Sequence, residues 1–317
     1  MKIAIGIDVG GTNTKYGVLT ENGKLIKKLS TPTDCTNGGR LFMEGIARTV
    51  FHIEKAFKGG EYQTVGVGIG MPGPVLADGR VENCVNLNLK DMYPEAVLTE
   101  MLNGISVNVG NDANVAALGE LWKGGGKGYD SIVFITLGTG VGGGVVLNNR
   151  IANGAKGLAG EIGHSVVNPY ETDLCNCGKR GCLDQIASAK GIERMARQML
   201  AFTEADSVLR DTKRLSAKSI VDAAKDGDTL AYVILDYCMS FLGKCLADVS
   251  YVIDPQVFVI GGGVSQGGSI LTDMIQRHYQ KEATLVKKKT PVLLAKLGND
   301  AGIYGAAKMV FDKQKNR

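Results

Sequence analysis

The chain has 317 residues, 44% of them hydrophobic and 21% charged, and a net charge of +4 from 36 basic and 32 acidic side chains. That length predicts two domains rather than one core, and so small and dispersed a positive balance argues against a nucleic-acid partner. No apolar run nears the roughly 18 residues that span a bilayer, and the start MKIAIGIDVGGTNTK shows no charged leader, so a cytoplasmic protein with no membrane partner is expected.

In chain order, Lys2 to Ile7 reads as a strand, followed by a glycine turn, a strand from Lys15 to Leu19, a turn at Glu21-Asn22-Gly23 and a third strand near Leu25 to Leu29. Leu41, Ile46, Val50, Ile53 and Phe57 recur at helical spacing across Arg40 to Lys58. Val65 to Gly70 reads as a buried strand, Ser106 to Val109 as another, and Asp112 to Trp122 as a helix stopped by Gly124-Gly125-Gly126. The pattern then repeats: strand Ser131 to Leu137, glycine turn, strand Gly144 to Leu147, and a hairpin turn at Asn148-Asn149. Helices are expected over Gln185 to Phe202, Ala217 to Lys225, Leu230 to Val252, Ile270 to Gln280 and Ala301 to Phe311, with strands at Val257 to Ile260 and Val292 to Ala295. The Lys287-Lys288-Lys289 run reads as a solvated loop.

Two halves that each open with strand, glycine turn and strand suggest a duplicated α/β architecture. The expected division is 1–120 with 301–317 returning to it, and 121–300 as the second, larger domain. Ligands would bind in the cleft between them.

The 44 glycines, about twice the usual roughly 7% share, gather at the ends of apolar runs. The loops Asp8-Val9-Gly10-Gly11-Thr12-Asn13-Thr14-Lys15 and Gly138-Thr139-Gly140 each lie between two strands, where backbone N–H groups converge into a seat for phosphate oxygens. Thr12 and Thr139 add hydroxyl donors, and Asp8 is placed to hold Mg²⁺ through water. Gly261-Gly262-Gly263 offers a flat backbone surface to an adenine ring, with Gly262 and Gly263 as the candidate contacts. Three other patterns fail. The GxGxxG spacings at Gly68 and Gly138 are not followed by a helix, as a dinucleotide fingerprint requires. No GxxxxGK[ST] is present. Gly263-Val264-Ser265-Gln266-Gly267 matches a nucleophile elbow, but the sole histidine downstream is His278, in the very next helix.

His164, Cys175, Cys177 and Cys182 fall within 19 residues and supply the one-imidazole, three-thiolate set that closes a tetrahedral Zn²⁺ site. Cys35, Cys84, Cys238 and Cys245 are scattered, a reduced pattern in which Cys238 and Cys245 read as buried thiols. Asp112, after Asn111 at a strand end, suits a general base for phosphoryl transfer, since that loose transition state needs little prior activation of the acceptor. Asn111 and Asp112 also suit a plain helix cap. Glu161, His164 and Asp184 read either as a sugar-hydroxyl pocket or as support for the metal loop.

The set DVGGTNTK, GNDAN, TLGTGVGGG, EIGH, CNCGKRGC and VIGGG resembles the ROK family (repressor, open reading frame, kinase), in particular its bacterial glucokinases, over essentially the whole chain. The resemblance implies an actin-like ATPase fold with two ribonuclease-H-like domains around an interdomain cleft. It implies ATP as cofactor with Mg²⁺ and Zn²⁺, and Asp112 as catalytic base. The sugar contacts it implies are Asn111, Asp112, Glu161 and His164, and the zinc ligands His164, Cys175, Cys177 and Cys182. It further implies a homodimer or homotetramer. Two positions depart from the glucokinase pattern. Asp184 stands where Glu is usual, and in Asn86-Leu87-Asn88-Leu89 a leucine stands where tryptophan is common. The expected reaction is transfer from ATP to the 6-hydroxyl of glucose. The alternatives are another sugar (N-acetylmannosamine, N-acetylglucosamine, allose or a β-glucoside) or a non-catalytic sugar-binding regulator. The family's repressors carry a helix-turn-helix domain ahead of the kinase part. A first strand at residue 2 leads us to expect none here.

Overall fold

The computed structural model describes every residue except 35, 37, 38, 77, 85, 86, 88, 316 and 317, and the side chains at 82, 83 and 89. Cys35, Asn86, Asn88 and the Leu89 side chain, all named above, lie outside what is described.

The chain forms two compact units, residues 1–130 with 144–160 and 297–317, and residues 131–143 with 161–296. In the first unit, β1 (Lys2–Val9), β2 (Asn13–Thr20) and β3 (Leu25–Pro32) form an antiparallel meander. Helix α1 (Arg40–Phe57) leads to β4 (Gln63–Met71), which pairs parallel to β1. A small hairpin of β5 (Val81–Cys84) and β6 (Leu89–Met92), then α2 (Pro94–Met101), precede β7 (Val107–Asn111) and α3 (Asp112–Lys123). The sheet order is β3-β2-β1-β4-β7.

The second pass gives β8 (Ile132–Leu137), β9 (Val141–Leu147) and β10 (Arg150–Ile151), with Asn148 and Asn149 both left-handed as their hairpin turn requires. There follow α4 (Asp184–Ala187), α5 (Ala189–Phe202), α6 (Ala217–Lys225), α7 (Thr229–Ile253), β11 (Val257–Gly261), α8 (Ser269–Glu282), β12 (Val292–Leu294) and α9 (Ala301–Lys315). The order β10-β9-β8-β11-β12 repeats that of the first sheet, hairpin strands on one side and parallel strands on the other. This is the duplicated ribonuclease-H-like plan of the actin-like ATPase fold. Among the described helices, α7 is long and apolar enough by composition to cross a membrane, but 61% of that window is buried within the protein.

Three details differ from expectation. The hairpin β5–β6 and α2 were not foreseen. The helix expected over Gln185 to Phe202 is broken at Ser188, which is extended and caps α5 by accepting the Gly191 N–H at 3.1 Å. Many glycines serve packing rather than ligands. A Cβ on Gly68 would stand 1.8 Å from the Ala306 carbonyl oxygen, and one on Gly6 would stand 2.0 Å from that of Ile303. Helix α9 therefore lies directly on the backbone of β1 and β4, which only glycine permits.

Candidate functional site

The first unit carries two of the expected groups of residues. At the β1–β2 turn, the Gly10 N–H donates to the Asn13 carbonyl at 3.0 Å, closing the loop and leaving Gly11, Thr12 and Asn13 exposed at its tip. Thr33, just after β3, holds the loop, its hydroxyl donating to the Gly10 carbonyl at 2.8 Å. Asp8 and Lys15 face each other across the strand pair, with the ammonium 3.4 Å from the carboxylate and also donating to the Asn299 carbonyl. Burial pushes the Asp8 carboxyl above its ordinary value. Lys15 partly offsets this, and Asp300 adds to it. A half-buried carboxylate in that setting suits a divalent cation held through water.

Asn111 ends β7 and caps α3, its side-chain oxygen accepting from the Asn114 N–H at 3.1 Å. Its amide donates to the Gly73 carbonyl and to Asp112 Oδ1, both at 3.1 Å. Asp112 Oδ1 also accepts the Ala113 N–H at 2.8 Å. The half-buried carboxylate thus sits at the N-terminus of α3. Helix-cap and candidate-base readings therefore divide between neighbours: Asn111 is the cap, and Asp112 is the acid that the cap orients.

The second unit brings together the other glycine loops and the metal-ligand cluster. In the β8–β9 turn the Gly138 N–H donates to the Gly140 carbonyl at 2.9 Å, and Thr139 is exposed. Gly262 is left-handed, and a Cβ there would stand 2.5 Å from the Leu137 carbonyl oxygen, so the β11 turn lies against the β8 exit. Gly263 has open space beside it. Ser265 is buried and its hydroxyl donates back to the Gly262 carbonyl at 2.8 Å, while His278 pairs with Asp236 at 2.8 Å. Neither is arranged for nucleophilic catalysis.

His164 Nδ1 lies 3.7 Å from Cys175 Sγ, Cys177 Sγ lies 3.5 Å from Cys182 Sγ, and the four ligand atoms are all within 4.8 Å of one another. A tetrahedral zinc with its ordinary bond lengths spaces its thiolates by roughly 3.8 Å, so this donor set fits the ion. The loop around these donors is tightly set. Gly181 is left-handed, and a Cβ there would meet the Asn168 carbonyl oxygen at 1.9 Å. The Lys179 ammonium donates to the His164 carbonyl at 2.6 Å. A backbone N–H at Lys179 lowers the Cys177 thiol, while burial and then the neighbouring thiols push Cys182 up to about 12. A bound metal would hold these groups as thiolates. Cys238 and Cys245 are buried and pushed by that burial to about 12 and about 11, as expected of inert core thiols.

Glu161 is exposed and precedes the short helical turn Ile162–His164. His164, Asp184, Thr139, Gly140, Gln185 and Ser188 line one cavity of about 520 Å³. Asp184 does more than line it, because its Oδ1 accepts the Val141 N–H at 2.6 Å. Sequence reasoning also missed Arg194. It forms an ion pair with Glu171 and lies 3.2 Å from Asp173, binding the metal loop to α5 and holding the Glu171 carboxyl below its usual range. Its position one helical turn and more beyond Ser188 gave no signal, because its partners lie some 20 residues upstream.

The model of the ROK family matches residues 4–313. A glucokinase of Halalkalibacterium halodurans is 38% identical over 98% of this chain and 96% of its own length. An N-acetyl-D-glucosamine kinase of Vibrio atlanticus is 31% identical over 95% and 97%. Among solved structures, a ROK family glucokinase from Streptomyces griseus in complex with glucose and AMPPNP is 32% identical, with a TM-score of 0.75 over 97% of this chain and 98% of that one.

Proposed function

This chain belongs to the ROK family, and from that premise we propose that it is an ATP-dependent kinase transferring the terminal phosphoryl group to the 6-hydroxyl of glucose. The observation that carries this reading is the seating of Asp112, oriented by Asn111 and the Ala113 N–H at the start of α3. Asp112 accepts a hydrogen bond from the acceptor hydroxyl, aligns its oxygen, and takes its proton late, as the bond to phosphorus forms. The glucokinase relatives support the choice of sugar.

In this reading the β1–β2 loop at Gly10, Gly11, Thr12 and Asn13 and the β8–β9 loop at Gly138, Thr139 and Gly140 cradle the phosphates through backbone N–H groups and threonine hydroxyls. Asp8 and Lys15 attend the magnesium that accompanies ATP, which neutralises phosphate charge when bound. Gly262 and Gly263 face the adenine. Asn111, Asp112, Glu161 and His164 read sugar hydroxyls. His164, Cys175, Cys177 and Cys182 hold zinc, whose chemistry is to stiffen the loop that carries His164. Use of ATP and a cysteine set read as reduced thiols support a cytoplasmic reaction, and the family resemblance supports assembly as a homodimer or homotetramer.

The second reading is the same chemistry on N-acetylglucosamine, favoured by the Vibrio relative. A panel of glucose, N-acetylglucosamine, N-acetylmannosamine, mannose and allose with ATP, followed by ADP release, decides between them. Glucose is expected to give the highest kcat/KM. A higher value for an N-acetylated sugar replaces the first reading with the second, and no ADP release with any sugar removes both.

A further inference from the structure

Asp184 stands two residues beyond Cys182, on a turn that the metal ligands themselves position. Cys182 is fully buried, its N–H donates to Gln185 Oε1 at 3.1 Å, and its carbonyl accepts the Gln185 N–H at 3.0 Å. The Leu183 N–H donates at 2.9 Å to the carbonyl of Ser165, the residue next to His164. From that turn Asp184 reaches across 43 positions of sequence to accept the Val141 N–H at 2.6 Å. Gly140 leaves it room, since a Cβ there would stand 2.6 Å from the same carboxylate oxygen. The other end of the loop is also held, for the Ala189 N–H donates to the Gly138 carbonyl at 2.8 Å. Residues 184 and 189 therefore grip the β8–β9 turn from both sides. The side chain that departs from the glucokinase pattern by one methylene is the one that reaches Val141.

We infer that Asp184 is a positioning residue for the β8–β9 loop, transmitting the geometry of the His164–Cys182 metal knuckle to the nucleotide's phosphates. This rests on the assignment of that loop to phosphate binding. A charge-assisted hydrogen bond to a backbone N–H pre-sets the loop, so the nucleotide need not order it on binding. The knuckle then acts at the ATP end of the reaction although its ligands touch no phosphate.

The test compares Asp184→Ala, Asp184→Asn and Thr139→Val with the parent enzyme, scoring KM for ATP, KM for glucose, magnesium–ADP binding by calorimetry, and zinc content. Loss of one charge-assisted hydrogen bond predicts that Asp184→Ala raises KM for ATP and weakens magnesium–ADP binding about tenfold. Glucose KM and zinc content are expected to stay near those of the parent. Asp184→Asn, whose amide oxygen still accepts from Val141, is expected to restore most of the nucleotide affinity. Asp184→Ser, too short to reach Val141, gives the same readout should the alanine variant misfold. A rise in glucose KM with nucleotide binding intact would make Asp184 a sugar contact and overturn the inference, as would Asp184→Asn being as impaired as Asp184→Ala. If Thr139→Val weakens magnesium–ADP binding and Asp184→Ala does not, only the coupling is lost. If neither variant weakens it, the phosphate-loop assignment falls and takes the coupling with it.

Discussion

A Cβ on Gly302 would stand 2.6 Å from Cγ of Asp8 and 2.7 Å from its Oδ1. The second residue of α9 is glycine because the carboxylate at the end of β1 fills the space a side chain would need. The start of a C-terminal helix and the end of the first strand are thereby fitted to one another around the acid assigned to magnesium. Gly302→Ala should turn the Asp8 side chain away from its present orientation. The expected result is a loss of about 1–3 kcal/mol of stability from overpacking, read by urea unfolding, together with a rise in KM for magnesium–ATP and little change in KM for glucose. Unchanged nucleotide kinetics in a folded variant would separate Asp8 from the metal role.

Asp8 itself predicts a pH dependence. Burial raises its carboxyl above 3.8, and Lys15 compensates only in part. A carboxyl raised in the folded state contributes stability below its unfolded value, and that contribution disappears as pH climbs through the folded value. At neutral pH the ionised group is therefore a burden on the nucleotide-free protein. Asp8→Asn is expected to raise Tm near neutrality, with the advantage shrinking as pH falls toward 3.8, while turnover drops. A Tm difference independent of pH would mean that Asp8 does not titrate with the folded state.

Asp112→Ala removes the base and leaves Asn111 to cap α3. General-base contributions predict a fall in kcat of about 10²–10⁴-fold. Glucose binding, followed by calorimetry, should remain measurable because other groups on the sugar are untouched. Near-normal turnover would exclude Asp112 from the reaction.

The parts of the fold that were legible in the sequence are those set by local pattern. The turns at Gly10 and Gly138 announce themselves because apolar strands run into glycine on both sides, and the metal ligands because four soft donors crowd into 19 residues. The hairpin β5–β6 was missed because VENC and LKDM are four residues each and offer no alternation long enough to read. Helix α2 did carry a start signal, Pro94 followed by Glu95, but with too few apolar positions to reinforce it. Asp184 was read by its nearness to Cys182, whereas its partner Val141 lies 43 residues away and only tertiary structure joins them. Nothing local in the sequence marks why Gly6 and Gly68 are glycine, because the cause is a helix more than 230 positions later in the chain.

Metal removal should act on folding before chemistry. Cys182 is fully buried and Cys177 is exposed, so a chelator would reach the proposed zinc from the Cys177 side. Stripping the metal is expected to lower Tm by several degrees and to expose 175–182 to limited proteolysis, since an unliganded thiol set contributes nothing that holds the loop. Cys182→Ser should show reduced zinc content by metal analysis and a lower Tm at full chelator-free purity. A variant with normal Tm and no zinc would reduce the cluster to an incidental grouping of thiols.

Among the described residues, Glu120 is the one fully buried glutamate. Its Oε2 accepts the Gly125 N–H at 2.7 Å and its Oε1 accepts the Leu297 N–H at 2.8 Å. The residue also leaves no room at Gly124, where a Cβ would stand 1.8 Å from Oε2. One carboxylate thus secures the glycine run after α3 and the segment by which the chain returns to α9. Glu120→Gln keeps the shape but offers one accepting oxygen for two N–H groups and turns an NH₂ toward the other. Leaving a buried donor unpaired costs about 1–3 kcal/mol, so Glu120→Gln is expected to lower the urea midpoint measurably without changing zinc content. Glu120→Ala should lower it further, because it removes both acceptors and opens a cavity. Equal midpoints for glutamine and alanine would show that the charge, and not the pair of accepted hydrogen bonds, carries the effect.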